Sequence, residues 1–116
     1  MAKLICKNKI VLSDMKYIIS LFGLMWGLMF ASQSKVKKGR CLVVGNKDKK
    51  VSIHMLFCFY HYEVLFINSK FRVVDKKLLR PWSLRYVSAR KFKYVIESSE
   101  GTFTRIRVGN KVKIQR

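Results

Sequence analysis

The stretch that decides the fold is VSIHMLFCFYHYEVLFIN, which runs from Val51 to Asn68 and is the longest apolar run of the chain. Its β-branched and aromatic residues favour strands over a helix, and its two histidines and one glutamate make it too polar for an easy membrane span. We predict two buried strands joined at Phe59–Tyr62. The second half, Val64-Leu-Phe-Ile67, is apolar on both faces, which is typical of an interior strand covered on both sides.

Short strands separated by turns account for most of the remaining chain. An N-terminal hairpin is predicted from Lys3–Cys6 and Ile10–Leu12, with its turn at Lys7-Asn8-Lys9. Further strands are predicted at Cys41–Val44, Phe71–Asp75, Phe92–Glu97 and Lys111–Gln115, and a helical turn at Thr102–Arg107. The only proline places a corner at Arg80-Pro81-Trp82, because proline ends regular strand pairing.

One amphipathic helix is predicted near the N-terminus. Ser13 and Asp14 supply N-cap side chains, and Gly27 marks the end. Apolar residues follow the N-cap at three- and four-residue spacing: Met15, Ile18, Ile19, Phe22, Met25, Trp26 and Met29. The predicted fold is therefore one mainly-β domain over residues 1–116, a small barrel or sandwich of short, mostly antiparallel strands with this helix packed on it.

The uncharged run Tyr17–Ala31 leaves two alternatives to a core helix open. As a helix its fifteen residues would span roughly 22 Å, short of the ~30 Å hydrocarbon core of a bilayer. The Gly23-to-Gly27 spacing would nevertheless suit a membrane helix that dimerises. The lysines before the run and Ala31-Ser32 after it would suit a signal peptide. We favour a core helix in a cytoplasmic protein, with a membrane-associated protein as the alternative.

The charge balance points to a polyanionic partner. There are 25 Lys+Arg against 6 Asp+Glu, which gives a formal net charge of +19. Such a field attracts nucleic acid, ribosomes or an anionic membrane face, although codon bias in an AT-rich genome would produce a similar composition. Basic segments alternate with aromatic residues, as in single-strand binders built on β-barrels. The candidate polyanion-binding residues are Lys35, Lys37, Lys38, Arg40, Lys76, Lys77, Arg85, Arg90 and Lys91.

No catalytic set or metal site emerges from the sequence. His54, Cys58 and His61 could be grouped as metal ligands, but alternation along a strand turns His61 away from the other two, and a fourth ligand is missing. The predicted strand pairing also separates His54 from Glu63 as an acid–base pair. Cys6, Cys41 and Cys58 are odd in number and form no CxxC pair, so reduced thiols are expected. We expect no metal, no cofactor and no catalytic residue.

An ordered set of fragments resembles a known family. These are Gly27-Leu-Met-Phe30, Ser52–Phe57, Glu63–Asn68, Phe71–Asp75, Arg80-Pro-Trp82, Lys93–Glu97, Gly101 and Val108-Gly-Asn110. In this order and spacing the chain resembles the domain of unknown function 192 family (uncharacterised protein family 0127), in its short archaeal type without an export segment. The resemblance implies a compact mainly-β domain and brings no reaction or cofactor. The matching positions of unknown role are Gly27, Met29, Phe30, His54, Met55, Glu63, Arg80, Trp82 and Gly109.

The chain departs from the family pattern at polar positions. The family's Pro-apolar-Asp is His61-Tyr62-Glu63 here, its Asp at the end of the strand is Asn68, and its Gly-Asp is Gly109-Asn110. A polar site shared by relatives would therefore be altered in this chain. The sequence favours a non-catalytic binding or interaction module that binds nucleic acid electrostatically. The alternatives are a membrane-associated protein anchored through Tyr17–Ala31 and a divergent enzyme or metal site around His54.

Overall fold

The computed structural model describes residues 2–18, 39–43, 52–53, 62–79, 86–87 and 90–116. Within these ranges the chain forms nine strands and no helix. The strands are β1 Ala2–Cys6, β2 Lys9–Ile18, β3 Arg40–Val43, β4 Ser52–Ile53, β5 Tyr62–Ile67, β6 Val73–Leu79, β7 Tyr86–Val87, β8 Tyr94–Ser99 and β9 Val112–Gln115. Seven form one sheet in the order β6-β5-β8-β3-β2-β1-β9, and β4 pairs with β7 separately.

The mainly-β class and the mostly antiparallel pairing are confirmed. The exception is the parallel pair of β2 and β3, in which Lys16, Tyr17 and Ile18 lie opposite Arg40, Cys41 and Leu42. The N-terminal hairpin is also present, with Cys6 opposite Lys9 across a two-residue turn. Lys7 and Asn8 have φ angles of 51° and 63°, the left-handed conformation that a tight hairpin turn of this kind requires.

The predicted start of the helix is wrong. Residues 13–18 continue strand β2, where Met15 lies opposite Ala2 of β1 and is fully buried. The spacing of Met15 and Ile18 fits a helix, but hydrogen bonding to β1 on one side and β3 on the other satisfies the backbone as a strand. The residues next to this segment in the sequence do not reveal its distant partner, strand β3. The remainder of the predicted helix, residues 19–29, lies outside the described ranges.

The central run is half confirmed. Val64 to Ile67 are fully buried in β5, which lies between β6 and β8 as an interior strand. The predicted pairing between the two halves of the run is wrong, because β6 and β8 pair with β5 along Tyr62–Ile67. Ser52 and Ile53 of the first half pair with β7 instead. Residues 54–61 lie outside the described ranges.

The large sheet curls without closing into a barrel. Its edge strands, β6 and β9, approach each other only where they begin, at the isolated bridge between Arg72 and Lys111. Val73 donates its backbone N–H to Asn110 O (2.9 Å), and Val112 donates to Phe71 O (2.9 Å). Beyond this point no continuous ladder joins the two strands, so the turns before β6 and β9 are held together at a rim.

Both faces of the middle strands are buried. The concave core contains Leu65 and Ile67 of β5 and Ile96 of β8, together with Phe103 and Ile106 from the segment after β8. That segment forms consecutive turns, in which Thr102 donates to Ser99 O and Ile106 to Phe103 O. On the opposite face, Val64, Phe66 and Val95 are buried as well. The sheet is therefore an inner layer, and the exposed polar groups concentrate at its edges and turns.

Candidate anion-binding surface

The turn between β5 and β6 is held rigidly by one asparagine. The Asn68 side-chain oxygen accepts backbone N–H groups of Lys70 and Arg72, each at 3.0 Å. The Asn68 backbone also donates to Arg72 O and accepts from Phe71 N, again at 3.0 Å each. Phe71 is held at φ 61°, a conformation that is rare for a bulky side chain. Short Asn side chains commonly stabilise turns in this way.

The turn before β9 is built in the same manner and is tied to the first. Asn110 accepts the Arg107 N–H through its side chain (2.9 Å), and Gly109 donates its N–H to Val73 O (2.7 Å). The Arg72 guanidinium donates to Gly109 O at 3.1 Å. Gly109 has φ +97°, which a glycine adopts without a steric penalty. The two turns therefore form one rigid unit carrying several basic side chains.

A groove of about 470 Å³ lies on one side of this unit. We call it the Phe71 groove; its lining includes Ile5, Phe71 and Ile114 with Lys7, Lys111 and Lys113. The Phe71 ring stacks on Tyr94 with centroids 5.3 Å apart and planes inclined by 21°. Phe71 and Ile114 are partly buried and pack against the core. The groove thus combines a fixed aromatic ring with three lysines.

A second hollow of about 370 Å³ adjoins the same turn, because Asn68, Lys70 and Arg72 line it. We call it the Arg72 cleft; its lining includes Asn68, Lys70, Arg72, Arg90, Val108 and Gly109. Val108 is 60% exposed. Lys70 and Arg72 directly flank Phe71 in the sequence, so the groove and the cleft are neighbours. Together they present Lys7, Lys70, Arg72, Arg90, Lys111 and Lys113.

No acidic side chain occurs among the described residues that line the two hollows. Glu63 and Glu97 are buried, and Asp75 uses its carboxylate to accept the Lys76 backbone N–H at 2.8 Å. Among the acidic side chains that the structure describes, only that of Glu100 belongs to an exposed residue. Few negative charges therefore remain on the described surface.

Glu63 and Lys76 form an internal latch. The Glu63 carboxylate accepts the backbone N–H groups of Gly101 (2.9 Å) and Phe103 (2.7 Å). The Lys76 ammonium lies 3.8 Å from Glu63 and donates to Phe103 O (2.6 Å) and Ile106 O (3.0 Å). Both side chains thus hold the segment after β8 against the sheet. Lys76, a predicted polyanion-binding residue, lies in strand β6, and its ammonium is engaged internally.

Arg40 is also internal. It begins β3 opposite Glu97 of β8, and the two residues are only 7% and 2% exposed. Arg40 Nη1 and both Glu97 carboxylate oxygens find no hydrogen-bond partner among the described residues. Burial raises the pKa of Glu97 from 4.5 to about 8, and the charge of Arg40 acts against this. Because Arg40 is buried, it is not part of an exposed basic surface.

The remaining candidates divide between exposed positions and positions outside the described ranges. Lys77, Arg90 and Lys91 are exposed, and Arg90 lines the Arg72 cleft. Gly109 lies in the turn beneath that cleft. The following lie outside the described ranges: Gly27, Met29, Phe30, Lys35, Lys37, Lys38, His54, Met55, Arg80, Trp82 and Arg85.

Five basic residues of the two hollows were not predicted from the sequence, although it contains a signal for them. Lys7, Lys70, Arg72, Lys111 and Lys113 all adjoin an asparagine-centred turn, in the segments Lys7-Asn8, Asn68-Ser-Lys-Phe-Arg72 and Asn110-Lys-Val-Lys113. Turns are exposed, so basic residues beside them are presented to solvent. The sheet order alone brings the three turns together at one rim. The same order places Glu97 beside Arg40, a pairing that no sequence pattern indicates.

No group of three potential metal ligands occurs among the described residues. His54, Cys58 and His61 lie outside them. Cys6 and Cys41 are buried free thiols, and burial raises the pKa of Cys41 to about 12. In the described part of the chain, no helix is long and apolar enough to cross a bilayer. Of the run Tyr17–Ala31, only Tyr17 and Ile18 are described, and both lie in β2.

Comparison with known proteins places the chain in a family. Residues 14–114 match the family model DUF192, described as an uncharacterised ACR. The chain belongs to the DUF192 family. A UPF0127 protein from the archaeon Pyrococcus horikoshii is 38% identical over 64 residues, which cover 53% of this chain and 55% of that protein. The matched stretch thus spans about half the length of this relative. The archaeal type expected from the sequence is confirmed.

Two crystal structures share the fold of this DUF192 protein. One is a protein from Sinorhizobium meliloti 1021, provisionally described as a transcription regulator, with a TM-score of 0.79 and 20% identity over 97% of this chain and 90% of that one. The other is a protein of unknown function from Novosphingobium aromaticivorans, with a TM-score of 0.80 and 17% identity over 97% of this chain and 82% of that one. At these identities the likeness concerns the fold alone.

Proposed function

We propose that this DUF192 protein is a cytoplasmic binding module that holds nucleic acid by its phosphate backbone, through the Phe71 groove and the Arg72 cleft. One observation carries the proposal: six basic side chains from separate segments line two adjoining hollows, and no described residue of either lining carries a carboxylate. Phosphate contacts of this kind supply affinity without sequence preference. The rigid, cross-bonded turns beneath the hollows reduce the conformational entropy lost on binding.

The test is a titration of the full chain with a labelled oligonucleotide of about 12 nucleotides, which suits one small β-fold site, at rising salt concentration. Affinity should fall linearly on a double-logarithmic plot, because each phosphate contact releases condensed counterions. The double variant Lys111→Gln/Lys113→Gln should lower the slope by about 1.4 for a single strand, or about 0.7 for each phosphate that is no longer neutralised. The matched control is Lys3→Gln/Arg105→Gln, which removes two exposed charges outside both hollows.

The comparison ligand is duplex DNA, chosen because the Sinorhizobium meliloti neighbour is provisionally described as a transcription regulator. Absence of binding to either nucleic acid at low salt would overturn the proposal. Equal slopes for the two double variants would show that phosphates do not lie in the Phe71 groove. A lower slope for the groove variant alone supports the assignment of the surface.

A further inference from the structure

We propose that the Phe71 groove takes one unpaired nucleobase of a single strand, stacked on the Phe71 ring, with the adjoining phosphates held by Lys7, Lys111 and Lys113. This inference rests on the proposed function and adds to it a preference for single strands. Phosphate binding alone does not distinguish a single strand from a duplex by its bases.

The backbone of the groove adopts an uncommon conformation at three positions. Lys7, Asn8 and Phe71 are the non-glycine residues with positive φ in the described part of the chain, and all three line this groove. Asparagine tolerates this conformation, whereas a phenylalanine at φ 61° is strained. Strained positions persist where the surroundings enforce them, and they cluster at functional sites. Here the two Asn68 bonds across the turn and the Val112-to-Phe71 bond enforce it.

The Phe71 ring is already fixed by its neighbours. Phe71 is stacked on Tyr94 at 5.3 Å, and Tyr94 in turn is only 8% exposed and carries the Lys93 ammonium 5.3 Å from its ring centroid. A ligand that stacks on Phe71 therefore meets a ring that does not have to be ordered on binding. Phe71 itself remains partly exposed at the groove, so the supported ring is available to a flat partner.

The Phe71 groove suits a nucleotide in size and in charge. A hollow of about 470 Å³ is within the range of about 300–1,000 Å³ typical of small-ligand sites, so it accommodates one base and its sugar. Three lysines line the groove together with the ring, which suits a ligand that alternates flat bases with phosphates. An acidic peptide would satisfy the lysines, but its carboxylate side chains offer no aromatic face. In a duplex the base faces are already stacked, so a single strand is the better ligand.

The experiment compares Phe71→Leu with Phe71→Tyr. Leucine keeps an apolar side chain of similar size and removes the aromatic face, whereas tyrosine keeps the ring. Each variant is titrated with a single-stranded oligonucleotide and with an abasic oligomer of the same length, which has the phosphates without the bases. Phe71→Leu should weaken oligonucleotide binding about 5- to 100-fold for one lost stack. The salt slope and abasic binding should stay unchanged, and Phe71→Tyr should retain affinity.

Equal oligonucleotide affinity of Phe71→Leu and the wild type would overturn this inference while leaving the proposed function standing. Failure of the wild-type chain to bind either oligomer would overturn the proposed function itself. Because Phe71→Leu could fold poorly, a second measurement uses only the wild-type chain. Uridine monophosphate should shift the backbone NMR signals of Phe71 and Val112 and leave those of Arg105 unchanged. Shifts absent from the groove at saturating nucleotide would equally overturn the base site.

Discussion

Replacing Glu97 by glutamine should stabilise the protein at neutral pH and have little effect in acid. Glu97 is 2% exposed, and neither carboxylate oxygen has a hydrogen-bond partner among the described residues. Its burial disfavours the charged form and raises the pKa from 4.5 to about 8. Between these values the folded chain holds a proton that the unfolded chain releases. The contribution of Glu97 to stability is therefore greatest below pH 4.5 and falls as the pH rises towards 8.

The size of the effect follows from the shift. One pKa unit corresponds to about 1.4 kcal/mol, so the shift from 4.5 to about 8 amounts to roughly 5 kcal/mol above pH 8 and roughly 3 kcal/mol at pH 7. Glutamine has the shape of the protonated side chain and does not ionise. The difference in unfolding free energy between Glu97→Gln and the wild type should therefore grow from near zero at pH 4.5 to about 3 kcal/mol at pH 7.

Urea denaturation of both proteins across this pH range measures the difference directly, since titration of all other groups cancels to first order. Glu100→Gln, at an exposed position in the turn after β8, is the control and should show a pH-independent difference within about 0.5 kcal/mol. The opposite result would refute the reasoning. If Glu97→Gln is less stable than the wild type at pH 7 by about 3–5 kcal/mol, Glu97 is ionised and paired with Arg40.

Three further outcomes are expected from the same structure. Glu63→Gln should lower the free energy of unfolding by about 2–3 kcal/mol in urea denaturation. Gly101 and Phe103 donate to different carboxylate oxygens, and glutamine replaces one of these acceptors by an NH₂ group that faces a donor. A loss no larger than that of Glu100→Gln would refute the latch. Gly39→Ala should destabilise the fold more than Gly101→Ala. Both glycines have positive φ, but only a Cβ at position 39 would meet another side chain, Leu12 Cδ1 at 2.6 Å. Equal losses of unfolding free energy would show that this contact relaxes freely. Cys41 should react with iodoacetamide only as fast as the chain opens, because burial raises its pKa to about 12, and peptide mass spectrometry should find it alkylated rapidly only in urea.

Strand composition and turn chemistry were predictable from the residues themselves. The apolar segment Val64–Ile67 lies in the interior strand β5, since a strand covered on both faces accommodates consecutive apolar side chains. Lys7-Asn8 forms the hairpin turn, and Asn68 to Lys70 begin the turn between β5 and β6. These features depend on side chains a few residues apart, so a single sequence contains the information.

Residue periodicity failed where a distant strand supplied the hydrogen bonds. Met15 and Ile18 suit a helical face, but β1 and β3 pair with this segment and make it strand β2. Arg40 is an ordinary basic residue beside a basic loop in the sequence, whereas the register of β3 and β8 places it opposite Glu97 in the interior. Its charge was predictable, but its exposure was not, because exposure is decided by residues far away in the chain.

The sequence by itself determined the mainly-β class, the excess of positive charge and the family, because all three reside in composition and in the local order of residues. Tertiary structure alone decided which charges face solvent and which are enclosed. The sheet order joins the turns at Asn8, Asn68 and Asn110, separated by up to about a hundred residues, into one basic rim around Phe71. The same order buries Glu63 and Glu97, because the pairing of distant strands sets side-chain neighbours that no local pattern specifies.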